Sequence, residues 1–149
     1  MISFTIPGKP FAKQRPRSTR QGNVYTPSET VVFERVVGQL GALEMRGRPI
    51  IEGPVALTVV ATFCPAKSWS KRRRAAAIGQ PHTQKPDLDN IVKAIKDGLN
   101  RIVWRDDSQV AALSAFKVWG ETEQTEVMVA PIDDVGAGVA QVPFRGTIS

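Results

Sequence analysis

A chain of 149 residues, 42% hydrophobic and 23% charged, is long enough to bury a core and too apolar for global disorder. Its formal net charge of +6 favours an anionic partner, whether DNA, RNA or an anionic membrane surface. The single cysteine, Cys64, excludes an intramolecular disulfide and any cysteine-based zinc site, and its place in an apolar run makes it a core residue.

No apolar run approaches the ~20 residues of a membrane-spanning helix, and no signal-peptide core opens the chain, so a cytoplasmic protein is expected. Residues 2–6 alternate apolar and polar side chains and read as a strand closed by Pro7-Gly8. Residues 9–23 form a basic loop containing Pro10 and Pro16. Thr26-Pro27-Ser28-Glu29 has the form of a capping box with proline at the first helical position. The helix it starts is expected to bury Val32, Phe33, Val36, Val37, Leu40 and Leu43, and to stop near Gly47. Residues 55–63 are β-branched and bounded by Pro54 and Pro65, a strand. Residues 68–78 read as a short helix ended by Gly79, and residues 88–102 as a longer one. Residues 110–119 and 125–130 read as two strands joined in a hairpin through residues 120–124.

This order predicts an α/β (α+β) fold: a single domain over residues 1–131, with a mixed sheet of about four strands, two main helices and one short helix. Residues 132–149 have little periodicity and are expected to form a partly disordered tail.

The charge is unevenly placed. Residues 1–20 carry Lys9, Lys13, Arg15, Arg17 and Arg20 and no acid, and residues 53–86 carry Lys67, Lys71, Arg72, Arg73, Arg74 and Lys85 and again no acid. Two acid-free basic segments fit phosphate contact, with Lys9, Lys13, Arg15, Arg17, Lys71, Arg72, Arg73, Arg74 and Lys85 as the candidate nucleic-acid-binding residues.

The second basic segment runs directly into Lys85-Pro86-Asp87-Leu88-Asp89-Asn90-Ile91-Val92-Lys93, and Trp104-Arg105-Asp106-Asp107 follows. Leu88, Ile91, Val92, Ile95, Leu99 and Ile102 recur at helical spacing as a buried stripe, while Asp89, Lys93, Asp97 and Asn100 share a different one. Taken alone, Asp87 and Asp89 are explained by helix capping and the helix dipole, and Asp106-Asp107 by a turn before a strand. Lys93, four residues after Asp89, is either an ion-pair partner or a fixed cation facing a phosphate. If Asp107 comes back to the first pair, three carboxylates in a basic protein call for a divalent cation. Hard oxygen ligands suit Mg²⁺, which completes its shell with phosphate oxygens. The spacing permits this convergence and does not by itself require it.

The run from Lys85 through Lys93 to Leu99, with Trp104-Arg105-Asp106-Asp107-Ser108-Gln109-Val110, resembles the RusA family of Holliday-junction resolvases. Gly8-Lys9-Pro10, Arg15-Pro16-Arg17 and Tyr25-Thr26-Pro27 also resemble phage and prophage members. The resemblance spans roughly residues 2–130. It implies a homodimeric endonuclease that depends on Mg²⁺, with Mn²⁺ as a substitute, and resolves branched DNA by paired symmetric nicks. It also implies that Asp87, Asp89 and Asp107 are catalytic metal ligands, that Lys93 is catalytic, and that Asp106 is the less critical member of its pair. Asp106 and the lone histidine, His82, are accessory candidates, and Trp104 is expected to pack the loop that presents Asp107. Two other readings remain open: a less selective metal nuclease acting on flaps or single strands, and a non-catalytic junction-binding module in which the acids only cap a helix.

Overall fold

A computed structural model describes residues 1–133. In chain order the elements are β1 (Ile2–Pro7), β2 (Arg17–Ser18), β3 (Val24–Tyr25), α1 (Ser28–Glu44), β4 (Val55–Phe63), α2 (Lys71–Ala77), α3 (Leu88–Leu99), β5 (Val110–Trp119) and β6 (Gln124–Pro131). β2 and β3 pair as a small ribbon inside the basic loop. The expected tail lies almost wholly outside the described residues.

The mixed four-stranded sheet has the order β1-β6-β4-β5. β4 is parallel to β5 and antiparallel to β6, which in turn pairs antiparallel with β1. The hairpin expected between β5 and β6 is therefore absent, because β4 lies between them. The reason is visible in β4 itself: eight of its nine residues are buried, from Val55 and Leu57 on one face to Thr58 and Val60 on the other. A strand apolar on both faces belongs in the middle of a sheet, so the two later strands flank it. The connection crosses over the end of β4 at Gly120, whose N–H donates to the Phe63 carbonyl at 2.8 Å. A Cβ there would lie 2.4 Å from Thr62 Cγ2.

The core sits between one sheet face and the helices. Leu57, Val59, Ala61 and Phe63 of β4, Val127 and Val129 of β6, and Ile2 and Ile6 of β1 meet Val37 of α1 and Ile91, Ile95 and Leu99 of α3. Each of the Val, Leu, Ile and Phe side chains among them contributes about 1.5–3 kcal/mol by leaving water. Of the expected stripe, α3 buries Ile91, Val92, Ile95 and Leu99, while Leu88 is half-buried and Ile102 falls beyond the helix, which ends at Leu99: Asn100 leaves helical geometry with ψ 131 and Arg101 takes φ 67.

α1 differs from expectation twice. No capping box forms, because Pro27 takes the N-cap position with no side-chain cap bond. Glu29 instead accepts from Gln14 Nε2 at 2.9 Å. The helix also buries its small-residue side, Thr30, Val37, Gly38 and Gly41, while Val32, Val36 and Leu43 stay exposed and Phe33 and Leu40 are half-buried. Glycines decide the face. A Cβ on Gly98 of α3 would fall 2.7 Å from Val37 Cβ, and one on Gly41 would fall 2.6 Å from Leu99 Cδ2. The two helices approach more closely than bulky side chains would allow, and the larger apolar residues of α1 are turned outward.

Candidate active site

The site forms where α3 faces the outer strand of the sheet. Leu88, Asp89, Val92, Lys93, Lys96 and Asp97 of α3 line a cleft of about 660 Å³, closed by Leu113 and Ala115 of β5 and by Asp107. The structure thus brings Asp89, Lys93 and Asp107 together on one cleft. Asp87 precedes α3 and does not line it. Among the described residues, no three His, Cys, Asp or Glu side chains are gathered into a metal cage.

Asp89 lies in the first turn of α3, where it complements the helix dipole, but side-chain capping of α3 is not observed. Asp87 occupies the N-cap position of α3 by backbone conformation, yet its carboxylate caps nothing. Asp89 and Lys93 do not form the i,i+4 pair that their spacing allows. The Asp106-Asp107 pair divides its labour. Asp106 is the N-cap of a 3-10 turn over Asp107–Gln109, accepting from the Ser108 N–H at 3.0 Å and from the Ser108 hydroxyl. The Ser108 hydrogen bonds, aided by the charge of Arg101, hold the Asp106 carboxyl below its ordinary pKa. Asp107 is left to face the cleft. Its Oδ1 accepts from the indole Nε1–H of Trp104 at 2.9 Å, and Trp104 is fully buried, so the carboxylate is aimed by a ring held in the core packing.

Gln109 fixes the same turn from the other side, a role the sequence reading did not assign. Its Oε1 accepts from the N–H groups of Arg105 (2.8 Å) and Asp106 (2.9 Å), while its Nε2 donates to the carbonyls of Ile51 (2.8 Å) and Gly53 (2.9 Å). The signal was present in Asp106-Asp107-Ser108-Gln109: an acid followed three residues later by glutamine has capping-box spacing. Lys117 is the second unassigned contributor. Its ammonium donates to the carbonyls of Gln84 (2.6 Å) and Pro86 (2.7 Å), tying down the loop that leads into Asp87, where the Lys85–Pro86 peptide is cis.

The donor set fits a hard divalent cation. Among the described residues Asp89 has no side-chain partner, and only one carboxylate oxygen of Asp107 is engaged, by Trp104. Mg²⁺ is usually held by one or two carboxylates together with phosphate oxygens, so two cleft-facing carboxylates are enough on the protein side.

The basic residues fall into distinct groups. Lys9, Arg15, Arg17, Lys71, Arg72, Arg73 and Lys85 are exposed and Arg74 is half-buried. Lys13 is engaged: its ammonium bonds Glu34 of α1 at 3.0 Å and Asp97 of α3, and its N–H donates to the Asn90 carbonyl. Partial burial opposes its charge, but the bonds from Asp97 and Glu34 outweigh it and raise its pKa. Arg73 lies over the Trp69 ring at 3.7 Å. His82 lies away from the cleft, buried in an aromatic stack: 4.0 Å from Phe63, and 4.3 Å from Trp119, which meets Trp69 at 5.2 Å. Burial, then the charges of Lys117 and Lys9, lowers its pKa and favours the uncharged imidazole. The stack docks the basic helix α2 against the end of the sheet. Cys64, expected in the core, is half-buried beside it.

The uncharacterized protein YqaN of Bacillus subtilis (strain 168) is 40% identical over 139 residues, which covers 88% of this chain and 96% of that protein. Residues 7–130 match the family model described as Endodeoxyribonuclease RusA, a span that holds the cleft, the 3-10 turn and the basic loop alike. The chain therefore belongs to the RusA endodeoxyribonuclease family.

Proposed function

We propose that this protein is a Mg²⁺-dependent, structure-selective endodeoxyribonuclease that resolves four-way DNA junctions by paired symmetric nicks, acting in the cytoplasm as a homodimer. The observation that carries the reading is the shared cleft of Asp89, Lys93 and Asp107, with carboxylates that serve no cap or ion pair. The non-catalytic alternative needs the acids to cap α3, and the Asp87 side chain does not.

In this reading Asp89 and Asp107 hold the cation, with Asp87, two residues before Asp89, as the third ligand once substrate is present. When bound, the ion neutralises charge on a phosphate and makes water a stronger acid. Lys93 presents a fixed ammonium to the phosphoryl oxygens, where negative charge grows in the transition state. Trp104 and Gln109 hold Asp107 in place so that no side chain must reorganise at that moment. Hydrolysis breaks the bond to the 3′ oxygen and leaves a 3′-hydroxyl and a 5′-phosphate. The exposed Lys9, Arg15, Arg17, Lys71, Arg72 and Lys85 contact backbone phosphates, a contribution that falls steeply with salt. Two nicks related by symmetry require two sites related by a two-fold axis, which a C2 dimer supplies.

A synthetic four-way junction incubated beside a matched linear duplex and a flap tests the substrate. Nicks at symmetry-related positions in the junction, at least about tenfold faster than any cut in the other two, are expected with Mg²⁺. Equal cutting of all three would replace junction selectivity with the less selective nuclease.

A further inference from the structure

A second cavity, of about 280 Å³, opens at the Trp119 end of β5, and Phe63, Trp69, His82 and Trp119 give it an aromatic wall. Trp69 and Trp119 are each half-buried and tilted at 58° to one another, so both keep ring surface that the core leaves uncovered. His82 is 6% exposed, and its Nδ1 is enclosed with no hydrogen-bond partner among the described residues. Docking α2 does not require a polar atom in that state, and an enclosed group without a partner is costly.

Charge surrounds the same cavity. Lys9 and Lys85 line it and are exposed, and the Arg73 guanidinium lies 3.7 Å from the Trp69 ring centroid. The acid in the lining is Glu123, half-buried, whose carboxylate has no partner among the described residues. Aromatic surface beside cations suits a base with its phosphates, and a free carboxylate adds an acceptor for an amine on that base.

The cavity is tied by the backbone to the approach to α3. Residues 79–82 run antiparallel along β5: the Gly79 N–H donates to the Trp119 carbonyl at 2.8 Å, and the His82 N–H to the Lys117 carbonyl at 2.9 Å. The chain then passes Gln84 and Lys85, both in the cavity lining, and reaches Asp87. Lys117 holds this stretch through the Gln84 and Pro86 carbonyls. Three residues span at most about 11 Å, which is roughly three steps along a duplex strand at about 3.4 Å each.

On the nuclease reading above, we propose that this cavity takes one unpaired base of the DNA close to the phosphate that is cut. The base stacks against Trp69 and Trp119, its exocyclic amine donates to Glu123, and Lys9 and Lys85 hold the neighbouring phosphates. Cytosine, adenine and guanine carry such an amine, and thymine does not. Extrusion of a base costs least where pairing or stacking is already interrupted, as at a branch point.

Four-way junctions with a single abasic site, moved stepwise through the nucleotides flanking the branch point, test the cavity. The full chain, in Ca²⁺, is expected to bind one of them roughly tenfold more weakly than the intact junction. Trp69→Leu keeps apolar packing against Trp119 and removes the ring. It is expected to bind intact and abasic junctions within about twofold of each other, both as tightly as wild type binds the abasic one. That last equality also shows that the variant is folded. At the same position wild type is expected to prefer cytosine over thymine by about fivefold or more, each with its matching partner, and Glu123→Gln, whose amide can donate to thymine O4, to lose that preference. No abasic position that matters to wild type, a loss undiminished in Trp69→Leu, or thymine bound as tightly as cytosine would each overturn the proposal. Nicking in Mg²⁺ is read in parallel: nicking without a position-specific loss sinks the cavity alone, and a position-specific loss without nicking sinks the nuclease reading alone.

Discussion

Replacing Asp107 with asparagine is expected to lower the single-turnover rate of junction nicking by roughly 10³-fold, about 4 kcal/mol of transition-state stabilisation. Junction affinity, measured in Ca²⁺ or chelator, is expected to stay within a few-fold of wild type. Asparagine is nearly isosteric and can still accept from the Trp104 indole, so the turn survives while the anionic ligand is lost. The neighbouring Asp106→Asn protein is the internal control. Asparagine caps helical turns as well as aspartate does, and Asp106 serves the turn rather than the cleft. Its nicking rate is expected within about threefold of wild type. Equal losses in the two proteins would mean that the pair acts only through the turn, and full activity in Asp107→Asn would remove Asp107 from the chemistry.

Trp104 carries the second large effect because it joins stability to the site. It is among the largest fully buried side chains and donates to Asp107. Trp104→Ala removes the ring and leaves a cavity, at a cost of about 3–5 kcal/mol. Domains of this size are stable by only about 5–15 kcal/mol, so a fall in melting temperature of roughly 10–20 °C is expected by calorimetry. Trp104→Phe separates the two roles. It keeps most of the packing and removes the N–H, and is expected to cost about 1–2 kcal/mol. Nicking should fall roughly tenfold with junction affinity unchanged, because Asp107 loses the group that aims it. Wild-type nicking by Trp104→Phe would show that burial alone, without the indole hydrogen bond, places the turn.

These effects were legible to different degrees. β4 stands where β-branched content and bounding prolines placed it, and Ile91, Val92, Ile95 and Leu99 of α3 are buried because a single helical period dominates that segment. The order of the strands was not readable locally. β5 and β6 are separated by four residues, which invites a hairpin, and only the two-faced burial of β4 explains why they flank it. α1 misled for a physical reason: it is apolar on two sides, and contact with α3 was decided by Gly38, Gly41 and Gly98 rather than by the largest side chains.

The site divides in the same way. The acids of the Asp-Leu-Asp-Asn run and of the later Asp-Asp pair stand out as residue types, but their division of labour does not. Asp106 became a cap and Asp107 a cleft residue only because Ser108, Gln109 and Trp104 each supply a specific hydrogen bond. His82 stood out as the lone histidine in a polar loop, yet Phe63 and Trp119, distant in sequence, enclose it. Lys117 reads as an ordinary strand lysine until the loop it holds folds over it.

The central claim is that Asp89 and Asp107 bind one divalent ion in the cleft beside Lys93. The direct measurement is anomalous diffraction from the protein crystallised with Mn²⁺ and a non-cleavable junction. The account predicts a single strong peak in the cleft, with carboxylate oxygens of both Asp89 and Asp107 at about 2.1 Å and a DNA phosphate oxygen completing the shell. A peak outside the cleft, or one bonded to neither carboxylate, would contradict it.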